Sequence, residues 1–135
     1  MAKIRLIQPK VIVGSGSAGD FPSASGFFNV DDVDCLSVMI TPAGAVARTV
    51  TLTFADSAGN TLFTVSKALA ATAVTKFLNI GMLPGTNPSA ATDMIPAAAD
   101  ALALAICMPP KVRVSLASAA TATDVVIVGR DVSGG

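Results

Sequence analysis

Two stretches of the chain alternate apolar and polar residues. Val50, Leu52 and Phe54 are separated by Thr49, Thr51 and Thr53, a period of two that sends alternate side chains to opposite faces of an extended strand. Threonine on the second face suits a half-buried strand. Asp56-Ser57-Ala58-Gly59-Asn60 follows, with the length and chemistry of a turn between antiparallel strands. Thr61-Leu62-Phe63-Thr64-Val65 returns from it. Val112, Val114 and Leu116 alternate in the same way with Lys111, Arg113 and Ser115. A turn over Ala119 to Thr123 and a return strand from Asp124 to Arg130 predict a second hairpin. Val125 through Val128 is apolar on both faces, which predicts a central or covered strand.

The remaining segments read as shorter elements. Ile4 to Val13 carries β-branched residues around Pro9, the mark of an extended arm or of an edge strand interrupted at the proline. Gly14 to Ser25 is rich in Gly, Ser and Ala and predicts a flexible loop. Cys35 to Ile40 predicts a strand stopped by Pro42 and Gly44. Another strand is expected from about Ala73 to Ile80, ending at Gly81, with a loop over Leu83 to Pro88. Between Ser89 and Met108 two patterns compete. Pro96 before three alanines fits the first turn of a helix, while Leu102, Leu104 and Ile106 alternate with alanine as in a strand. The reading is a helical turn or irregular stretch, confined to Ser89 to Ala105, that leads into a strand ended by Pro109-Pro110. Asp131 to Gly135 is expected to fray. Short strands at this spacing predict an all-β fold, an antiparallel β-sandwich or barrel-like domain. Residues 14–135 form the single domain, behind an N-terminal arm or edge strand of residues 1–13.

Composition changes this picture in one direction. Of 135 residues, 52% are hydrophobic and 13% charged, and the mean hydropathy is +0.67. A membrane span needs about 20 apolar residues. The apolar stretch from Ala101 to Pro110 is too short and is bracketed by Asp100 and Lys111, so no membrane partner is expected. The excess apolar surface is expected to be covered by other protein. All nine acidic residues are Asp, which prefers turns and caps to helices. The formal net charge is zero, and no basic excess offers a footprint for nucleic acid. Lys3, Arg5 and Lys10 nevertheless make the start basic, and Asp20, Asp31, Asp32 and Asp34 make the next stretch acidic. Cys35 and Cys107 lie in apolar runs and are expected as buried free thiols. Met1 to Arg5 has no apolar leader segment, so synthesis and retention in a cytosol, or release on lysis, is expected.

Candidate chemistry is sparse. Gly14-Ser15-Gly16-Ser17-Ala18-Gly19 satisfies G-x-G-x-x-G after an apolar strand, but a dinucleotide site needs a helix to follow. Pro22 and Gly26 break that continuation, so no cofactor is expected. Asp31, Asp32 and Asp34 offer carboxylates to Ca²⁺ but lack the loop spacing and terminal Glu of an EF-hand, so a polar turn is expected and no metal. There is no His to act as base for a nucleophilic Ser or Thr. Ser66 and Lys67 are adjacent and point to opposite faces of a strand. No catalytic residue is assigned, and the chain is not expected to be an enzyme. Tyr and Trp are absent, which removes the usual stacking platforms for sugars and bases.

A basic arm thus precedes a domain rich in Ala, Thr, Val and Gly. The domain closes with Pro109-Pro110-Lys111-Val112-Arg113-Val114-Ser115-Leu116, an Ala/Thr turn, and Asp124-Val125-Val126-Ile127-Val128-Gly129. This arrangement resembles the small β-sandwich virion proteins of tailed bacteriophages, particularly capsid decoration or cement proteins. The resemblance implies a non-enzymatic protein on the capsid surface, made in the host cytoplasm. It would sit at junctions of hexamers and pentamers and reinforce the shell, with the major capsid protein and copies of itself, as dimer or trimer, for partners. A tail or fibre-associated sandwich and an adhesion or ligand-binding module are the alternative classes. Within the arm, Lys3, Ile4, Arg5, Leu6, Ile7 and Lys10 are the candidate interface residues. The basic groups are expected to meet acidic partners and the aliphatic ones to be covered on docking.

Overall fold

The computed structural model describes residues 3–44, 48–69, 75–81, 102–104, 107–117 and 121–131. The described residues form ten strands: β1 (Lys3–Val13), β2 (Gly19–Phe21), β3 (Phe28–Asn29), β4 (Val33–Pro42), β5 (Arg48–Ala55), β6 (Thr61–Leu69), β7 (Lys76–Gly81), β8 (Leu102–Leu104), β9 (Lys111–Leu116) and β10 (Thr123–Asp131). The first sheet has the order β1-β10-β4-β7-β8, and the second runs β2-β9-β5-β6 with β3 also paired to β9. All pairings are antiparallel except β7 with β8. That parallel pair is joined through residues 82–101, and only a long connection permits such a crossover. Among the described residues no helix is long and apolar enough to cross a membrane.

The period-two pattern decides what lies between the sheets. Val50, Leu52 and Phe54 of β5, Val112, Val114 and Leu116 of β9, and Phe21 of β2 turn inward from one sheet. Leu36, Val38 and Ile40 of β4, Val125 and Ile127 of β10, and Leu78 and Ile80 of β7 meet them from the other. These residues form one continuous core. Full burial of each large side chain stabilises the fold by roughly 1.5–3 kcal/mol before ordering costs. The β5–β6 hairpin is as expected. Asp56 Oδ1 accepts from the backbone N–H of Ala58 at 3.0 Å and of Asn60 at 2.9 Å, and Gly59 supplies the positive φ of 88° that closes the turn.

The second expected hairpin does not form. Lys111–Leu116 pairs with β5, β2 and β3, whereas Thr123–Asp131 pairs with β1 and β4 in the other sheet. The chain crosses from sheet to sheet over residues 117–122. Alternation in both strands reports one buried face each, and facing strands in opposite sheets meet that requirement as well as paired ones do. Flanked by β1 and β4, β10 is central, as its apolar run predicts. Gly14 to Ser25 is not all loop, because Gly19–Phe21 forms β2 and buries Phe21. Both cysteines are free, but Cys35 is half-buried and Cys107 exposed, against the expectation of two buried thiols. The expected Leu83 to Pro88 loop lies outside the described residues, as does the Ser89 to Ala105 stretch expected to hold a helical turn, except for Leu102–Leu104, which are strand as the alternation of Leu102 and Leu104 predicts.

Backbone proximity, rather than side-chain volume, governs Gly81. Its φ is 112°, and a Cβ there would stand 2.3 Å from the Asp34 carbonyl oxygen and 2.8 Å from Cys35 Cα. Gly16, also at positive φ, has nothing within 4 Å of that position. Gly81→Ala is therefore expected to destabilise by about 2–4 kcal/mol, through strain and a backbone clash together. Gly16→Ala should cost only about 1–2 kcal/mol, from conformation alone. Denaturant unfolding of the two variants checks the ranking.

Candidate interaction surface

The two outer faces of the sandwich differ in chemistry. Outside the second sheet, Thr49, Thr51, Thr64, Ser66 and Ser115 share a face, with Thr51 and Ser66 hydroxyls 3.0 Å apart. Arg113 crosses the same face to sit 4.6 Å from the ring centre of Phe27. Lys67 lies opposite Val50 on the other side of the strand, so Ser66 and Lys67 do point apart. Hydroxyls line that surface, and β6 of the same sheet also leaves Leu62 55% exposed.

Outside the first sheet the surface is aliphatic. Register places Ile4 opposite Arg130, Leu6 opposite Val128 and Ile12 opposite Asp124. It continues from Val128 to Ser37 and from Val126 to Met39, and then from Met39 to Phe77. Ile4, Leu6 and Ile12 are 74%, 57% and 64% exposed, and Phe77 is 39% exposed. The polar groups among them are satisfied locally. The Ser37 hydroxyl donates to Asn79 Oδ1 at 2.7 Å, and the Thr41 and Thr75 hydroxyls are 2.9 Å apart. A face with this many uncovered branched side chains is what a protein contact buries.

The candidate arm is thus the edge strand of the chain's own sheet, paired with β10 from Lys3–Asp131 to Val13–Thr123. Two register shifts, between Leu6 and Gln8 and between Gln8 and Val11, each leave one extra residue in β1. Pro9 sits within the second, where no ladder donor is required. The shifts also separate the six candidate residues. Ile4 and Leu6 point outward. Ile7 turns inward and packs on the core, its Cδ1 lying 2.8 Å from where a Cβ on Gly129 would be. Arg5 is engaged at one end of the sandwich, donating to Asp32 at 2.9 Å and to the Asn29 carbonyl at 3.1 Å, with Asp131 at 3.8 Å. Lys10 Nζ lies 3.2 Å from Asp124. Of Lys3 the backbone register with Asp131 is described. Arg5 and Lys10 therefore face carboxylates of their own chain. Met39, Phe77, Val126 and Val128 were not singled out from sequence, although the two-faced apolar run at Val125–Val128 carries the signal for half of them.

The other sequence candidates do not converge. Asp32 faces Arg5, while Asp34 is bonded by Arg130, whose Nε donates to it at 2.8 Å. Among the described residues no group of three His, Cys, Asp or Glu side chains is placed to hold a metal ion. The glycine motif is a turn, with Ser17 N–H donating to the Gly14 carbonyl at 3.1 Å, and its last glycine opens β2 rather than a helix. Cys35, beside Asp34, has its thiol pushed up by burial and by that carboxylate, which keeps it protonated and unreactive.

Hydrogen bonding from Arg130 holds Asp34 below its ordinary value of 3.8. A carboxyl lowered in the folded state contributes stability that is complete above the unfolded value and is lost as pH falls through the lower folded one. Thermal melts of the wild type should therefore hold steady near neutrality and decline below about pH 4, with a smaller acid-side decline in Asp34→Asn. Removing residues 1–10 should also lower stability by several kcal/mol, roughly 3–6, because it withdraws Ile7 from the core and strips the β10 ladder. An unchanged melting temperature would mean that β1 is dispensable to the fold. No family model and no curated protein matches the chain, so the occupant of the aliphatic face is argued from the residues themselves.

Proposed function

We propose that this is a non-catalytic structural protein that works by packing the outer face of its first sheet, at Ile4, Leu6, Ile12, Val126, Met39 and Phe77, against other protein. The observation that carries the reading is the uncovered row of Ile4, Leu6 and Ile12 on a face whose charged neighbours are already paired within the chain. Such a face loses little hydration energy on burial and gains roughly 25 cal/mol per Å² of apolar area covered. Together with the resemblance of the strand pattern to phage decoration proteins, this supports a place on the head of a tailed bacteriophage. There the chain would bind the major capsid protein and neighbouring copies of itself and stiffen the lattice. The absence of His from the whole chain and the separation of Ser66 from Lys67 support the non-catalytic part of the reading.

Co-sedimentation with purified phage heads tests it. Ile4→Asp and Leu6→Asp alter outward side chains only, so both should leave the melting temperature within a few degrees of wild type. Each should weaken head binding about 10- to 100-fold, the equivalent of one buried aliphatic side chain. Because Arg5 and Lys10 are neutralised internally, raising salt should change binding far less than either substitution does. A doubly substituted protein that sediments with heads as well as wild type would overturn the proposal.

A further inference from the structure

Arg48 opens β5 and shares the inward face with Val50, Leu52 and Phe54; it is 4% exposed. Its Nη1 donates to the Ala117 carbonyl at 2.8 Å and its Nη2 to the Thr121 carbonyl. Its third donor, Nε–H, is buried and has no partner. The hydroxyls of Thr121 and Thr123 are likewise buried and unpartnered.

Several backbone contacts bring these groups to one end of the sandwich. Thr123 pairs with Pro42 of β4 and with Val13 of β1. Ala43 N–H donates to the Ala122 carbonyl at 2.8 Å, and Ala117 N–H donates to the Thr49 carbonyl at 3.0 Å. Thr121 Cγ2 lies 3.0 Å from where a Cβ on Gly44 would be. Ala43 and Gly44 after β4, Arg48 at the start of β5, and Ala117, Thr121 and Ala122 between β9 and β10 therefore lie at one end of the sandwich.

The chemistry of this cluster is one-sided. Among the described residues no carboxylate forms an ion pair with Arg48; Asp32, Asp124 and Asp34 face Arg5, Lys10 and Arg130 instead. Moving an ion out of water opposes folding unless opposite charge compensates it, and two neutral carbonyls do so only in part. The unsatisfied groups are an N–H and two hydroxyls, all able to donate at once. A water molecule would accept from two of them but would bring no charge. A group that only accepts, carries one negative charge and is small enough for a buried end of a sandwich satisfies all three together with the guanidinium. We propose that this end of the sandwich binds a small monovalent anion of the halide class, held by Arg48 Nε–H and by the hydroxyls of Thr121 and Thr123.

The proposal does not depend on the assembly reading, and its test uses the free protein. Melting is measured in sodium chloride, sodium bromide and sodium gluconate at equal ionic strength, gluconate being a bulky organic anion outside the halide class. Wild type should melt about 5 °C higher in chloride or bromide than in gluconate once the halide is well above its dissociation constant. Arg48→Met keeps the aliphatic stem but gives up the bonds to the Ala117 and Thr121 carbonyls, so it should melt below wild type and at the same temperature in all three salts. If Arg48→Met does not fold, Thr123→Val, which is nearly isosteric, should roughly halve the halide shift. Crystals grown in bromide should show an anomalous peak beside Arg48 Nε. A halide shift of equal size in wild type and in either variant would overturn the proposal, as would bromide crystals without a peak at Arg48.

Discussion

The crossing of the chain between Leu116 and Thr123 is the constraint on which the architecture depends. The strand before it, β9, touches β2, β3 and β5, and the strand after it, β10, is flanked by β1 and β4. Each sheet is thus organised around one of two strands that are neighbours in sequence. Among the described residues Arg48 links the two ends of the passage, its guanidinium donating to the Ala117 carbonyl on one side and to the Thr121 carbonyl on the other. An aliphatic residue at that position would leave both carbonyls without this donor, and unpaired buried carbonyls are costly. The inward rows of β5 and β9 then find those of β4 and β10 at the right separation, and the core closes.

What was legible in the residues follows from the range over which each signal acts. The β5–β6 hairpin was legible because alternation and turn chemistry are both local, and Asp56, Gly59 and Asn60 act within five positions of one another. The β9–β10 relation was not, since alternation states that a face is buried without naming the strand that pairs alongside. Residues 117–122 also lack the Asn-Gly or Asp-Gly that marks a two-residue hairpin turn. β2 escaped notice because Phe21 is its only large apolar residue amid Gly, Ser and Ala. In β1 the exposed positions Ile4 and Leu6 were among the residues marked as interface. The basic residues beside them read as free for a partner because Asp32, Asp124 and Asp131 are far away in sequence and come near only through the sheet register.

Those internal pairs reconcile the composition with the surface. A chain with 13% charged residues has few groups with which to hold water around an apolar sheet face. Here Arg5, Lys10 and Arg130 are held against Asp residues along or beside the first sheet. The opposite face, lined by Thr and Ser hydroxyls, keeps its polar groups toward solvent without using charge. The two outer surfaces of the sandwich therefore differ, one rich in hydroxyls and the other in uncovered aliphatic side chains.

The irregular course of β1 bears on how so apolar a chain avoids aggregating through its backbone. A straight edge strand is a template on which like strands stack into fibrils. The two bulges and Pro9 interrupt the outward-facing row of donors and acceptors halfway along β1. The edges at β2 and β8 are only three residues long. β6 is the long edge, and it carries Lys67 together with a register shift near its start. This geometry hinders extension in the plane of the sheet at the β1 edge, so the irregularity that costs β1 its straight ladder also works against cross-β growth from it.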